Sequence, residues 1–386
     1  MSRLNDPLTQ QIDQDIRQWD QLTHVDGETS FARSFPGHRR TGTAGEHATD
    51  TWLLQKLAAA GLEGFTTTYP FERLDIEACW LELDGARLPA VPMYDTLAQN
   101  MDLTGTLGRE VIALPCAPQE GHSTTRKVLA ARADGQHRAI IAFGDATTVE
   151  PGLALVNSES YRSPQSTPVF QVSSEYASKF SAGDPVRCRL MSHKVDATAT
   201  NVACHVAGTD EHTPWVIMTP KSAWWTSTAE RAGGIVAWLT LARHFATRPP
   251  RRSIIFTANS GHELSHLGMD YFLDQLDGAI GGWLHLGANF ASGLPPRLQA
   301  SSETAQQQLK DALSKHGINE STWTELNQRP LGEARNIFER GEPYFSILGG
   351  NQYFHHTQDR YPDTVDLAAT AQLTAALVAL MEEVLG

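Results

Sequence analysis

Residues 253–268, SIIFTANSGHELSHLG, constrain this chain more than any other stretch. The apolar run Ile254-Ile255-Phe256 reads as a buried strand, Ser260-Gly261 breaks it, and a helix over 262–275 is predicted to follow. A strand that ends this way delivers His262 and Glu263 to a strand-to-helix turn. Open α/β sheets bind ligands at the carboxyl ends of their strands, so two metal-capable side chains stand where a site belongs.

The surrounding pattern supports such a sheet. Strands are predicted over 203–207, 215–218, 253–258, 282–287 and 344–348, and helices over 229–246, 262–275, 303–315 and 367–385. In the helix 229–246, Ile235, Trp238, Leu239 and Ala242 form an i, i+3, i+4, i+7 stripe facing inward. Strand and helix in alternation predict an α/β fold, a mixed central sheet with helices on both faces. Earlier in the chain, helices are predicted over 7–24 and 46–60, the second stopped by Gly61, and the β-rich run 65–71 begins a sheet. The Gly-rich loop 37–45 has no strand before it and no GK[ST] ending, so it is not a phosphate loop.

Residues 77–195 have a different texture. Short β-like runs at 80–83, 111–114, 139–143, 169–172 and 186–191 alternate with turns around one helical piece near 127–132. This predicts a small β-rich domain inserted into a discontinuous α/β domain formed by 1–76 and 196–386.

Charge and composition narrow the partners. A net charge of −13 and the lack of a dense Lys/Arg run argue against nucleic acid or an anionic membrane. The polar start has no apolar signal segment, and no run approaches the roughly 18 apolar residues of a membrane-spanning helix. Cys79, Cys116, Cys188 and Cys204 form no CxxC pair and read as buried reduced thiols, so the expected location is cytoplasmic. The oligomeric state is open.

At this point the residues resemble a known family, the co-catalytic zinc aminopeptidases related to bacterial leucyl aminopeptidases, glutamate carboxypeptidase and glutaminyl cyclase. Arg40-Thr41-Gly42-Thr43-Ala44-Gly45-Glu46 resembles its opening loop, and Glu230-Arg231-Ala232-Gly233-Gly234-Ile235 sits where the family has Asp-Asn-Ala-Ser-Gly-Val. Gly261-His262-Glu263-Leu264-Ser265-His266-Leu267-Gly268 is similar to its Ala-Glu-Glu-x-Gly-Leu-Leu-Gly. Phe338-Glu339-Arg340-Gly341-Glu342-Pro343 resembles the segment before its last ligand, and His356-Thr357-Gln358-Asp359 its closing His-Thr motif. The insertion resembles a protease-associated domain.

The resemblance implies a degraded metal site. The His of one metal falls on Pro220, and the Asn-Leu-Asp strand falls on His285-Leu286-Gly287, which loses its Asp. The second metal's ligands fall on Glu230, Glu263 and His356, with His355 as an alternative to His356; the family's base falls on His262. That set suits one Zn²⁺ per chain with an open fourth position. The expected function is hydrolysis of an amide or peptide-like bond in a small molecule or short peptide, with His262 moving the proton and Glu263 catalytic beside it.

Substrate contacts are expected from Lys221, Ser222, Trp224 and Trp225 on the loop after strand 215–218, from Arg231 and Arg335 as carboxylate clamps, and from Tyr344 and Tyr353. The alternative is a metal-free descendant that binds a ligand or runs different chemistry through Ser222, Lys221 and His262. His262-Glu263-Leu264-Ser265-His266 also spells HExxH, which on a helix pairs two His at i and i+4 around a base Glu. Here it begins directly after a strand and a glycine, so His266 reads as a packed or solvated helix residue.

Overall fold

A computed structural model describes residues 6–22, 27–119, 121–210 and 213–386. Four parallel strands form the centre of a ten-stranded sheet, in the spatial order Tyr344–Leu348, Gly282–Leu286, Trp215–Pro220 and Ile254–Asn259. Arg297–Ala300 flanks them antiparallel on one side. Pro185–Val206 flanks them antiparallel on the other and carries Gly64–Leu83 beyond it.

The period-2 alternation of strands explains why both faces are covered. In Trp215–Pro220, Trp215 and Ile217 enter the main core with Trp238, Leu239 and Leu377. Val216 and Met218 point the other way, to Met269, Trp283 and Ile337. The helix Gly233–Thr247 buries Ile235, Trp238, Leu239 and Ala242, the stripe its sequence predicts. The helices Glu303–Lys315 and Leu367–Leu385 and the strand Tyr344–Leu348 match their predicted spans. The helix Pro7–Gln21 matches at its start, whereas residues 23 and 24 of its predicted span lie outside the described residues.

Three features depart from the sequence reading. The helix Leu367–Leu385 is long and apolar enough to cross a membrane, whereas the sequence reading finds no such run; it buries Leu373, Leu377, Leu380, Met381 and Leu385 in the core. The strands Gly64–Leu83 and Pro185–Val206 run through the positions expected as domain boundaries, with a register shift between Ile76 and Ala78. They continue as a ladder into the β-rich region, where Ala86–Pro89 and Asn100–Thr106 join its two sides, and Val91–Pro92, Val169–Val172, Ala139–Gly144 and Val111–Cys116 form a separate four-stranded sheet. The predicted helix 262–275 is broken. A 3₁₀ turn His262–Leu264 is followed by Ser265 and His266 with φ of 60° each, and the α-helix begins only at Leu267. The HExxH residues are therefore not on one helix.

All four cysteines are buried and unpaired.

Candidate active site

The four parallel strands end on the same side, and the loops leaving them carry the expected site residues. Asn259 leads to Ser260-Gly261-His262-Glu263, Pro220 to Lys221-Ser222, Leu286 to Ala288-Asn289, and Leu348 to Gly349-Gly350-Asn351. Gly261 takes φ of 73°, and a Cβ there would lie 2.8 Å from Leu267 Cβ, so the turn after the strand needs glycine.

His262 lines a cavity of about 470 Å³ between these loops and the β-rich region. Its Nδ1 lies 2.7 Å from Glu333 Oε1, and the ring stacks on His266 with centroids 5.1 Å apart. Glu333 is 1% exposed, and its second oxygen, Oε2, is 3.5 Å from His285 Nε2. Burial pushes the Glu333 carboxyl up, but the facing imidazoles of His262 and His266 and hydrogen bonds from His262 and His285 win, and it sits well below the usual carboxylate range. Burial pushes His266 down to about 3, so this ring is neutral near pH 7. Its Nδ1 lies 3.0 Å from Asn336 Oδ1. His262, His266 and Glu333 each offer a donor atom within 4.8 Å of the others; among the described residues they are the one such group of three.

The expected ligand set does not assemble. Glu263 has both carboxylate oxygens engaged: Oε1 accepts from the Thr41 amide and hydroxyl at 2.8 Å each, and Oε2 accepts from Ser222 Oγ at 2.6 Å. It is a buried brace between the Gly-rich loop and the strand ends, not a free donor. His356 lies apart from Glu230. Its Nδ1 accepts from the Gln358 amide, and its Nε2 faces Gly152, where a Cβ would be 2.2 Å away. The neighbouring His355 is the one that meets Glu230, with Nε2 3.5 Å from Glu230 Oε1. A left-handed backbone at His355, φ 56°, turns it inward.

A guanidinium occupies the position beside Glu230. Arg231, 1% exposed, places Nη2 2.9 Å from Glu230 Oε1 and donates from Nε to the Ser222 carbonyl. Asp359 holds the segment by accepting from the Ala229 and Glu230 amides at the π-helical turn Thr228–Ala232. Lys221 is a second internal cation: its Nζ lies 2.7 Å from Glu46 and 2.6 Å from Asp50, all three side chains being nearly dry. Glu230, Glu263 and His356 therefore do not fit a zinc ion.

The remaining expectations are corrected by the same packing. Lys221 and Arg231 are consumed by internal carboxylates, and Arg335 by Glu159 at 2.9 Å. Ser222 bonds Glu263 rather than His262, which removes the Ser222–His262 arrangement. Trp224 is buried, donates to Asn157 Oδ1 and stacks on Tyr94. Trp225 is buried and donates to the His355 carbonyl. Tyr344 begins its strand, at the end opposite the site, and is 2% exposed. Tyr353 packs its ring against His356, outside the cavity lining. Glu333 went unassigned in the sequence because no motif marks it, whereas His285 and Asp359 fall in family-like segments but were given no role of their own. Glu333 precedes the short helix Ala334–Arg340, which the sequence does not announce either.

The whole chain is similar to solved structures at low identity. A zinc aminopeptidase from Bacillus subtilis superposes with a TM-score of 0.75 at 14% identity, covering 97% of this chain and 95% of that one. A peptidase M28 precursor from Shewanella amazonensis gives 0.70 at 14%, covering 96% and 95%. A glutaminyl cyclase from Fimbriiglobus ruber gives 0.54 at 10%, covering 98% and 96%. Neither a protein-family model nor a curated protein sequence matches the chain. Over nearly its full length, this chain has the zinc aminopeptidase fold, with Arg231 and Lys221 among the carboxylates beneath its strand ends.

Proposed function

We propose that this protein hydrolyses an amide or peptide-like bond in a small molecule or short peptide, with His262 as the proton carrier. The carrying observation is the His262–Glu333 pair on the wall of the cavity at the strand ends. A carboxylate that accepts from Nδ1–H fixes the tautomer and leaves Nε2 as a base. His262 then takes a proton from water as it attacks the carbonyl and returns it to the leaving nitrogen, a contribution of about 10²–10⁴-fold. Asn289 lines the same cavity, and its Oδ1 accepts from Asn351 Nδ2 at 3.2 Å. That leaves its NH₂ to donate to the carbonyl oxygen as charge develops there.

The two relatives in fold named above as an aminopeptidase and a peptidase support peptide-like substrates. The test is turnover of a panel of amino-acyl and N-acyl anilides by the wild type and by His262→Gln. Release of anilide by the wild type and a loss of about 10²-fold or more in kcat for the variant is expected. Equal rates in both would overturn the role of His262.

A second reading has its own observation. His262, His266 and Glu333 form a two-imidazole, one-carboxylate donor set of the kind that holds Zn²⁺ with an open position. Bound there, the ion would lower the pKa of a water. Metal analysis of protein purified without chelator, for wild type and His266→Ala, separates the readings. About one zinc per wild-type chain, lost in the variant, favours this second one.

A further inference from the structure

The charges around the cavity differ in their freedom. Among the described residues its acidic side chains are already committed: Asp95 pairs with Arg132 at 2.5 Å, and Glu159 with Arg335 at 2.9 Å. Two arginines on its wall, Arg126 from the β-rich region and Arg297 from the strand Arg297–Ala300 of the large sheet, are exposed and make no ion pair among the described residues. In a chain of net charge −13, the described residues of this rim leave two arginines unpaired. A cleft of one sign with low-dielectric walls concentrates ligands of the other sign.

The apolar surface gathers at the same place. Among the described residues, five large hydrophobic side chains are exposed, and three of them, Leu129 at 36%, Leu294 at 47% and Leu331 at 37%, line this cavity. Scattered single exposed leucines are ordinary, but a group that rims one concavity marks a binding surface.

From these two observations we infer that the cavity takes an amphiphilic anion: an apolar body against Leu129, Leu294 and Leu331, and a carboxylate held by Arg126 and Arg297. Resting on the amide-hydrolase reading, this names the substrate class as an apolar amide with a free carboxylate, such as an N-acyl amino acid or a dipeptide with large apolar side chains. The scissile bond would lie between the acyl body and the carboxylate-bearing part, next to His262. Arg126 and Arg297 replace Lys221, Arg231 and Arg335 as the groups that hold the anionic end, since those three serve internal carboxylates.

Calorimetric binding of dodecanoate and of dodecanol to the full chain tests this without turnover. Dodecanoate is expected to bind about ten- to hundredfold more tightly than dodecanol, and the Arg126→Gln/Arg297→Gln double variant to erase the difference. Leu294→Asp is expected to weaken both probes. Equal binding of the two probes by the wild type, or no response to the double variant, overturns the inference. These binding measurements need no turnover, so a failure of the catalytic reading is seen separately, in the anilide assay.

Discussion

One carboxylate of Glu333 faces two imidazoles: Oε1 lies 2.7 Å from His262 Nδ1 and Oε2 lies 3.5 Å from His285 Nε2. His285 is in turn oriented by Ser346, whose Oγ is 2.8 Å from its Nδ1. Glu333 is thus fixed from two strands and positions His262 against the cavity. Glu333→Gln keeps the shape but replaces an acceptor-only group by an amide. We expect kcat to fall by about 10²-fold or more while KM changes little, because orientation of the base matters mainly in the transition state. Steady-state kinetics on an anilide substrate check this; a change confined to KM would contradict it.

Lys221 stands between Glu46 and Asp50 with its ammonium nearly dry. Removing one partner of a buried ion cluster leaves uncompensated charge, which costs about 3–5 kcal/mol. Lys221→Met is expected to lower the unfolding free energy by that order, measured by urea titration. A loss under about 1 kcal/mol would mean that Glu46 and Asp50 take up protons instead.

The outline of the fold was legible, because strand and helix periods are local signals. The stripe of Ile235, Trp238, Leu239 and Ala242 needs only sequence spacing to be read. The site was legible as a place and not as a set of partners. The turn after Asn259 does deliver His262 to the cavity. What Glu263 does depends on Thr41 and Ser222, residues 222 and 41 positions away, and no local pattern encodes that. The choice between His355 and His356 turned on one backbone angle, the positive φ at His355. The break of the HExxH segment has the same origin, two consecutive left-handed residues that a propensity argument does not anticipate.

Arg231 occupies the position beside Glu230 and pairs its guanidinium with that carboxylate at 2.9 Å. Burial raises the Glu230 carboxyl, and Arg231 followed by His355 brings it below its ordinary value. Chelation should therefore leave this part of the fold untouched. Arg231→Met is expected to destabilise the protein by roughly 3–5 kcal/mol. If added Zn²⁺ restores the melting temperature of the variant, Glu230 and His355 have become ligands; thermal melts with and without Zn²⁺ decide it.

The buried histidines make stability depend on pH in a definite direction. His266 is pushed down to about 3 and His355 to about 4, in each case first by burial, whereas both titrate near 6.5 when unfolded. Below pH 6.5 the unfolded chain binds protons that the folded one refuses, so stability falls as pH drops from 6.5 toward 4. Asp359 acts in the opposite direction: burial pushes it up to about 7, so the folded chain binds a proton there that the unfolded chain has lost above about 4. His38 and His356 are also held below their ordinary value, first by burial, and Glu46 is raised by burial as Asp359 is, so four histidines stand against two carboxylates and acidification through this window gives a net loss. His266→Gln removes one of the four refusals, and its unfolding free energy is expected to decline less between pH 6.5 and 4 than that of the wild type. Denaturant titrations at pH 4.5, 5.5, 6.5 and 7.5 measure both slopes. An identical slope in the two proteins would show that His266 is protonated in the folded state, with Glu333 as its partner.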